Sequence, residues 1–239
     1  MTGGTLGNIR LEFVIPDSYT FASKGAIGGT TILFPSTATQ NLAVNYPADY
    51  RGVADPMIYT PCYVGNNAAG VNDVLVKYAY SSSGATHYPS QMTIAYKDEI
   101  GSTWGLAYNR SNKDVYAAAL LKRHVPMKDN NGDGKEDLGA IYIVPDAGGP
   151  SLWLDVTSLG VDVGMSLMPS IATRDLPIPL TTSDLAASHD SQVFSLIGKI
   201  GIGDIDISDD NKQLYFVNLY DSKIYTIDIK KTRGGSQTI

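Results

Sequence analysis

The segment KDNNGDGKEDLG, residues 128–139, has the residue types and the spacing of a cation site. Carboxylate or amide side chains recur at alternate positions, with glycines between them. Calcium takes about 6–8 oxygen ligands at short range, and alternate residues of a tight loop can all turn inward to supply them. The sequence therefore predicts a Ca²⁺ site formed by the side chains of Asp129, Asn131, Asp133 and Asp137 and by the backbone carbonyl of Lys135.

This loop differs from an EF-hand at its last position and in its flanks. Its twelfth position is Ala140, where an EF-hand has a bidentate Glu, and both flanking segments have strand patterns. The loop resembles the calcium loops of integrin-type propeller blades, D-x-N-G-D-G-x-x-D-L, a pattern that it meets through Leu138. Without the bidentate Glu we expect a Kd of about 10⁻⁴–10⁻³ M, the range of extracellular modules. The alternative is a plain hairpin turn, since Asn-Gly and Asp-Gly favour such turns without a metal.

No other group of residues indicates a particular reaction. The histidines His87, His124 and His189 have no metal-binding spacing, and His189-Asp190 is a weak candidate dyad in a Ser-rich loop. The sequence contains no G-x-S-x-G motif. The G-x-G at 201–203 precedes a strand pattern and not a helix, so no nucleotide site is predicted. Whether the chain is an enzyme stays open, and the sequence favours a non-enzymatic role.

Composition narrows the class of partner. The chain has 239 residues and a net charge of −6. A nucleic acid or an anionic membrane surface requires a basic face, so neither is expected as a partner. No run of about 18 apolar residues occurs, so membrane insertion is not predicted. The single cysteine, Cys62, excludes a disulfide within the chain, and we expect it to be buried.

Short alternating segments bounded by turn residues predict an all-β fold. We expect three short strands within residues 9–46, a loop over 47–72, nine strands from Asp73 to Ile229, and one turn of helix over 184–192. Two domains follow: residues 1–60 as a β-sandwich-like segment with a linker, and residues 61–239 as blade-like antiparallel sheets that carry the calcium-loop hairpin at 129–137. Trp104 and Trp153 are expected in the cores of the sheets.

Residues 105–118 align without gaps on residues 204–217. Each segment contains a strand pattern, a polar turn with Asn-Lys, and a second strand in which an apolar residue precedes Tyr. Such a recurring unit is typical of propeller blades, which bury their faces on one another. A blade takes about 40–50 residues and closure typically needs about 4–8 blades. We therefore predict a partial or incomplete β-propeller; the alternative is chance similarity between two hairpins.

Several phrases between about residues 40 and 229 together resemble those of one family. They include VNYPADY (44–50), TPCYV (60–64), AGVNDVLVKYAY (69–80), GAIYIVPDAGG (139–149) and GKIGIGDIDISDDNKQLYFVNLYDSKIYTIDI (198–229). In these phrases the chain resembles the propeller-bearing region of large bacterial surface proteins with SdrD B-like repeats. The resemblance implies a secreted or surface-anchored protein of several domains. The chain departs from this family pattern at two places. Arg51 stands where a Cys often follows PADY, and the acidic loop stands where relatives have a shorter Gly-rich turn.

These observations give one principal hypothesis and two alternatives. The principal hypothesis is a non-enzymatic, calcium-braced module of a bacterial extracellular or cell-surface protein, in adhesion, binding or surface assembly. Its partners would be other domains of the larger protein and protein or glycan ligands. The first alternative is a calcium-dependent propeller hydrolase of the lactonase or phytase type, although such enzymes draw metal ligands from several blades and not from one loop. The second is a carbohydrate-binding module whose tyrosines stack on sugars.

Overall fold

Antiparallel strands form nearly all the regular structure of the computed structural model, which describes residues 10–21, 32–33, 42–46, 55–65, 72–84, 92–176 and 188–229. The all-β prediction is confirmed. The chain divides into two units, Met1–Met57 with Ala79–Ser81, and Ile58–Tyr78 with Ser82–Ile239. Across the described ranges no sheet closes on itself, and no helix has the length and apolar character to cross a membrane.

The first unit contains two pairs of two-residue strands. Both pairs are antiparallel: β1 (Leu11–Glu12) with β3 (Ile32–Leu33), and β2 (Thr20–Phe21) with β4 (Val44–Asn45). The strand break expected at Pro16-Asp17 is a turn, in which the Tyr19 N–H donates to the Pro16 carbonyl at 2.9 Å. Among the described residues β1 and β4 are shorter than their sequence patterns, and β2 was not predicted. The sandwich-like character of this segment stays a prediction.

A three-stranded sheet in the order β5-β6-β7 follows along the chain. Its strands are β5 (Met57–Pro61), β6 (Asp73–Ala79) and β7 (Met92–Tyr96). The prediction of a loop throughout 47–72 was therefore wrong at β5. Its residues Ile58, Tyr59 and Thr60 favour extended backbone, and Pro61 is tolerated because β5 lies at the sheet edge and ends there.

A four-stranded antiparallel sheet in the order β11-β10-β9-β8 supplies much of the core. Its strands are β8 (Thr103–Asn109), β9 (Asp114–Ala119), β10 (Ala140–Val144) and β11 (Ser151–Asp155). Every residue of β9 and β10 is buried, so both faces of the sheet are covered. The same core cluster includes Leu75 of β6 and Phe216 of the last sheet.

The last sheet has the order β12-β13-β14, with β12 (Ile202–Ile207), β13 (Gln213–Asn218) and β14 (Lys223–Asp228). β12 packs against β8, and a Cβ on Gly105 would lie 2.8 Å from the Ile205 nitrogen, so the two backbones meet directly there. The Arg110 N–H donates to Asn211 Oδ1 at 2.8 Å and joins the turns of the two hairpins. These hairpins are the two segments that align in the sequence, and their strand bounds agree to within one residue; the repeat itself stays a prediction.

The helices of the described residues are short. α1 (Lys97–Ile100) connects β7 to β8, where no helix was predicted. Gly101 ends α1 with a φ of 63°, and a Cβ there would lie 2.5 Å from the Lys128 nitrogen. Turns of 3₁₀ helix occur at Val156–Leu159, Met165–Leu167, Ile171–Thr173 and Ser191–Val193. The last of these overlaps the range 184–192, where a turn of helix was predicted, only at residues 191 and 192; residues 184–187 lie outside the described part.

The two tryptophans differ in environment, so the prediction that both lie in cores was wrong for one. The Trp153 ring packs on the core and meets the Tyr116 ring edge-on, with centroids 4.8 Å apart. Trp104 is 54% exposed, because successive side chains of β8 point to opposite faces and its neighbours point inward. Cys62 is half-buried and not fully buried, and this burial raises the pKa of its thiol.

Candidate functional site

The loop 129–137 lies between β9 and β10 and closes at its base. The Asp137 N–H donates to the Lys128 carbonyl at 3.0 Å. In the other direction, Asp137 Oδ2 accepts from the Asn130 N–H at 2.7 Å. Just before the loop, Met127 forms an isolated antiparallel bridge with Gly101. The loop therefore projects from a fixed stem.

The Asp129 carboxylate organises the tip of the loop. Its Oδ1 accepts from the Gly132 N–H at 2.7 Å, and its Oδ2 accepts from the Gly134 N–H at 3.0 Å. The two glycines have φ values of 75° and 82°, which L side chains rarely adopt. The sharp turn expected at Gly134 is present, and it wraps the backbone around the first predicted ligand.

Asn131 and Asp133 form two successive turns between side chain and backbone. Asn131 Oδ1 accepts from the Asp133 N–H at 2.8 Å, and Asp133 Oδ1 accepts from the Lys135 N–H at 2.8 Å. Such turns are typical of Asn and Asp, whose short side chains mimic a backbone carbonyl. Each of these oxygens has two lone pairs, so it can accept an N–H and still contact a cation.

Asp137 is only 3% exposed and lies among other acidic groups. Its Oδ2 also accepts from Asn130 Nδ2, which donates in turn to the Tyr142 hydroxyl at 3.0 Å. Burial raises the pKa of Asp137; the Asn130 hydrogen bonds oppose this, and the charges of Asp155 and Asp129 raise it further. Negative charge is therefore concentrated at the base of the loop, where a cation would be stabilised.

The structure places the predicted ligands in one loop without joining them at one point. Asp129, Asn131 and Asp133 surround the tip, Lys135 donates its N–H within the loop, and Asp137 lies at the base. In the part of the chain that the structure describes, no three His, Cys, Asp or Glu side chains converge as a metal-binding group. The donors are all oxygen atoms, which suits calcium. Binding would require these side chains to converge on one point.

A buried arginine anchors the end of this loop. Arg174 is 0% exposed, and its Nη1 donates to Glu136 Oε2 at 2.5 Å. Its Nε and Nη2 donate to the two Asp190 carboxylate oxygens at 3.1 and 2.6 Å. Nη2 also donates to the Lys122 carbonyl at 3.1 Å, and Glu136 Oε1 accepts from the Met127 N–H at 2.7 Å. We call Arg174, Glu136 and Asp190 the arginine clamp.

The clamp connects the loop to segments far away in the sequence. Burial raises the pKa of Glu136, and the charge and hydrogen bond of Arg174 oppose that rise. Burial alone would lower the pKa of Arg174, but its hydrogen bonds and ion pairs with Asp190 and Glu136 raise it, so the guanidinium stays charged. The Ile171 N–H donates to the Gly134 carbonyl at 2.9 Å, so the segment before Arg174 also contacts the tip of the loop.

The weak catalytic candidates of the sequence do not form a catalytic pair. His189 is exposed, and its Nδ1 lies 3.5 Å from Asp175 Oδ2, whereas Asp190 is buried in the arginine clamp. The His189-Asp190 dyad is therefore not formed. His124 Nδ1 lies 3.1 Å from Ser188 Oγ, and the His124 backbone N–H donates to Asp190. His87 lies outside the described residues.

Sequence reasoning missed the side chains that support the loop, which are Asn130, Glu136, Tyr142, Arg174 and Asp190. One signal was present, because Arg174 is the only arginine between Arg123 and Arg233. That signal does not indicate which carboxylates pair with Arg174, since Glu136 is 38 positions away and Asp190 is 16 positions away.

Comparison of the chain with protein-family models, with curated proteins and with solved structures gave no match. The likeness to bacterial surface proteins therefore stays a prediction. Function is inferred from the chain's own residues and their geometry.

Proposed function

We propose that this chain is a non-enzymatic, calcium-braced module of a bacterial extracellular surface protein, in adhesion, binding or surface assembly. The observation that carries the proposal is the wrapping of loop 129–137 around the Asp129 carboxylate, with oxygen-bearing side chains at alternate positions. Calcium prefers oxygen ligands in this kind of loop. The weak affinity expected without a bidentate Glu suits a compartment in which calcium is millimolar.

Calcium at this position would brace the hairpin electrostatically. The carboxylates of Asp129, Asp133 and Asp137 lie within nine residues and repel one another when all are charged. A divalent cation would remove that repulsion and hold Asp137, which is buried among negative charges. Because Glu136 directly precedes Asp137, the arginine clamp would then be attached to a rigid loop.

The packing of the sheets supports the partial propeller as the scaffold of this module. β8 and β12 are the first strands of their sheets, and their backbones meet at Gly105. Blades of a propeller stack face to face in this way and bury their surfaces on their neighbours. The agreement of the strand bounds in the two aligned hairpins favours the same architecture.

Thermal unfolding with and without calcium tests the proposal. If the Kd is about 10⁻⁴–10⁻³ M, then calcium at about 10 mM should stabilise the folded state by roughly 1.4–2.7 kcal/mol. For a chain of this size that corresponds to a rise in Tm of about 3–10 °C, reversed by EDTA. Magnesium at the same concentration should have a smaller effect, because it demands stricter octahedral geometry.

Two variants make the result specific to the loop. Asp133→Ala removes a predicted ligand from the tip and should abolish the calcium-dependent rise in Tm. Asp209→Ala removes an exposed carboxylate from the loop between β12 and β13 and should leave the rise intact. A rise that persists in Asp133→Ala, or no rise in the wild type, would contradict a calcium brace at this loop.

Activity assays separate the proposal from the hydrolase alternative. A screen of ester and lactone substrates, with calcium present, should show no turnover above the uncatalysed rate. Turnover that requires calcium and is lost in Asp133→Ala would favour the hydrolase.

A further inference from the structure

A small cavity of about 170 Å³ lies between the β5-β6-β7 sheet and the turn that follows β10. Tyr59, Lys77 and Ile94 of the sheet line one side, and Val144 and Asp146 line the other. Most of this lining belongs to strands, which hold side chains more precisely than loops do. Since a cavity of about 150 Å³ holds one benzene ring, this cavity has room for a single six-membered ring.

One wall of the cavity is an aromatic ring. Tyr59 lines the cavity and stacks on Tyr108, with ring centroids 6.3 Å apart and an angle of 28° between the rings. Burial raises the pKa of Tyr59, and the nearby Tyr108 and Asp146 raise it further, so its hydroxyl stays a hydrogen-bond donor near neutral pH. The negative face of an aromatic ring attracts the positively polarised C–H groups of a packed ligand.

A separated pair of opposite charges forms the polar part of the cavity. Lys77 Nζ lies 4.0 Å from Asp146 Oδ1, which is longer than the roughly 2.7–3.2 Å of an N–H···O hydrogen bond. The same Nζ lies 6.0 Å from the centroid of the Tyr59 ring. The Lys77 side chain is 19% exposed and that of Asp146 is 53% exposed, so both charges remain open to a ligand.

We propose that this cavity binds one ring of a neutral saccharide. The C–H groups of the sugar pack on Tyr59, while one ring hydroxyl accepts from the Lys77 ammonium and donates to the Asp146 carboxylate. The spacing suits this arrangement, because a hydroxyl can bridge two charged groups that do not contact each other. The inference rests on the proposed binding role, for which it names the ligand class, but the cavity is separate from loop 129–137.

The charge of the cavity argues against an ionic ligand. The charges of Lys77 and Asp146 nearly cancel, so an anion would gain from Lys77 about as much as it loses to Asp146, and a cation would gain from Asp146 about as much as it loses to Lys77. A zwitterion such as glycine would have to pull the two charges further apart, whereas a bridging hydroxyl leaves them in place. A polyhydroxylated neutral ring is therefore the chemistry that matches both the charges and the aromatic wall.

Ligand-observed NMR and calorimetry on the full chain test this inference. The probes are the methyl glycosides of glucose, galactose, mannose and N-acetylglucosamine, each at millimolar concentration, with glycine as a zwitterionic control. At least one glycoside should bind, and Tyr59→Ala should weaken it about tenfold or more. Asp146→Asn should also weaken binding. Because the Asp146 side chain is half-exposed, this variant should fold and can replace Tyr59→Ala if the latter does not fold. Tyr215→Ala alters a tyrosine on β13 that does not line this cavity and should leave binding unchanged.

Each result decides the matter. Binding that is lost in Tyr59→Ala or Asp146→Asn and kept in Tyr215→Ala supports the saccharide site. Failure of all four glycosides to bind, binding that neither cavity variant affects, or binding of glycine in their place overturns it. Repeating the titration in EDTA separates this inference from the proposed calcium site. If the sugar binds in EDTA and the Tm does not respond to calcium, the saccharide site is supported and the calcium brace is contradicted.

Discussion

The arginine clamp gives the sharpest prediction about stability. Arg174→Met removes the buried positive charge and keeps a long apolar side chain. Glu136 and Asp190 then remain buried without their cation, and of the contacts described above each retains one backbone N–H, from Met127 and His124. Breaking a buried ion pair by removing one partner costs about 3–5 kcal/mol, so we expect the free energy of unfolding to fall by that amount.

The loss should depend on pH in a defined direction. Burial already raises the pKa of Glu136, and Arg174 opposes that rise, so in the variant the pKa of Glu136 rises further. The folded variant then binds protons more tightly than the unfolded chain, and its stability falls as pH increases through the range between the two pKa values. The difference between variant and wild type should therefore be larger at pH 8 than at pH 5.

Urea unfolding followed by circular dichroism measures both effects. Arg123→Met is the matched control, because that guanidinium is partly exposed and, among the described residues, donates to the His189 carbonyl and lies 5.3 Å from the centroid of the Phe194 ring; we expect it to cost about 1 kcal/mol or less. If Arg174→Met costs no more than Arg123→Met, or if its cost is the same at pH 5 and pH 8, the clamp does not stabilise the fold as argued.

Two further predictions concern single buried positions. Gly101→Ala should cost about 2–4 kcal/mol in urea unfolding, because a Cβ there meets backbone at 2.5 Å and the φ is positive. Gly84→Ala, at a similar φ but with nothing within 4 Å of its Cβ, should cost only about 1 kcal/mol, and equal costs would contradict the role of the close approach. Burial raises the pKa of Tyr142, so the folded state holds this proton more tightly than the unfolded chain and stability should fall as pH rises above about 10. Tyr142→Phe should reduce that fall between pH 9 and 11 while Tyr220→Phe should not; an unchanged fall in Tyr142→Phe would refute the assignment.

Local patterns predicted most of the strands, because alternation and turn residues act over a few positions. The bounds of β10 and β13 were predicted without error, and those of β8, β9 and β11 to within two residues. The errors arose where neighbours in space decide. β5 was missed because Pro56 precedes it and Pro61 ends it, and because it is an edge strand of the described sheet. Trp104 lies on the exposed face of a strand whose other face is buried.

In the candidate site, too, the sequence predicted the local contacts and missed the distant ones. The spacing of Asp129, Asn131 and Asp133 predicted a tight loop, and their turns depend on amides only two to five positions away. The clamp depends on Arg174 and Asp190, which no local pattern links to Glu136. The cavity joins Tyr59 to Asp146, so it too depends on how sheets pack and not on spacing along the chain.

The wide separation of the clamp residues has a consequence for the order of events during synthesis. Glu136 emerges from the ribosome 38 residues before Arg174, and at about 5–20 residues per second the interval is roughly 2–8 s. β8, β9 and β10 are all synthesised before Arg174, but until Arg174 emerges the Glu136 carboxylate has no guanidinium to pair with. We therefore expect this end of the loop to stay hydrated, and the hairpin to remain open to chaperones, until the segment that carries Arg174 has left the tunnel.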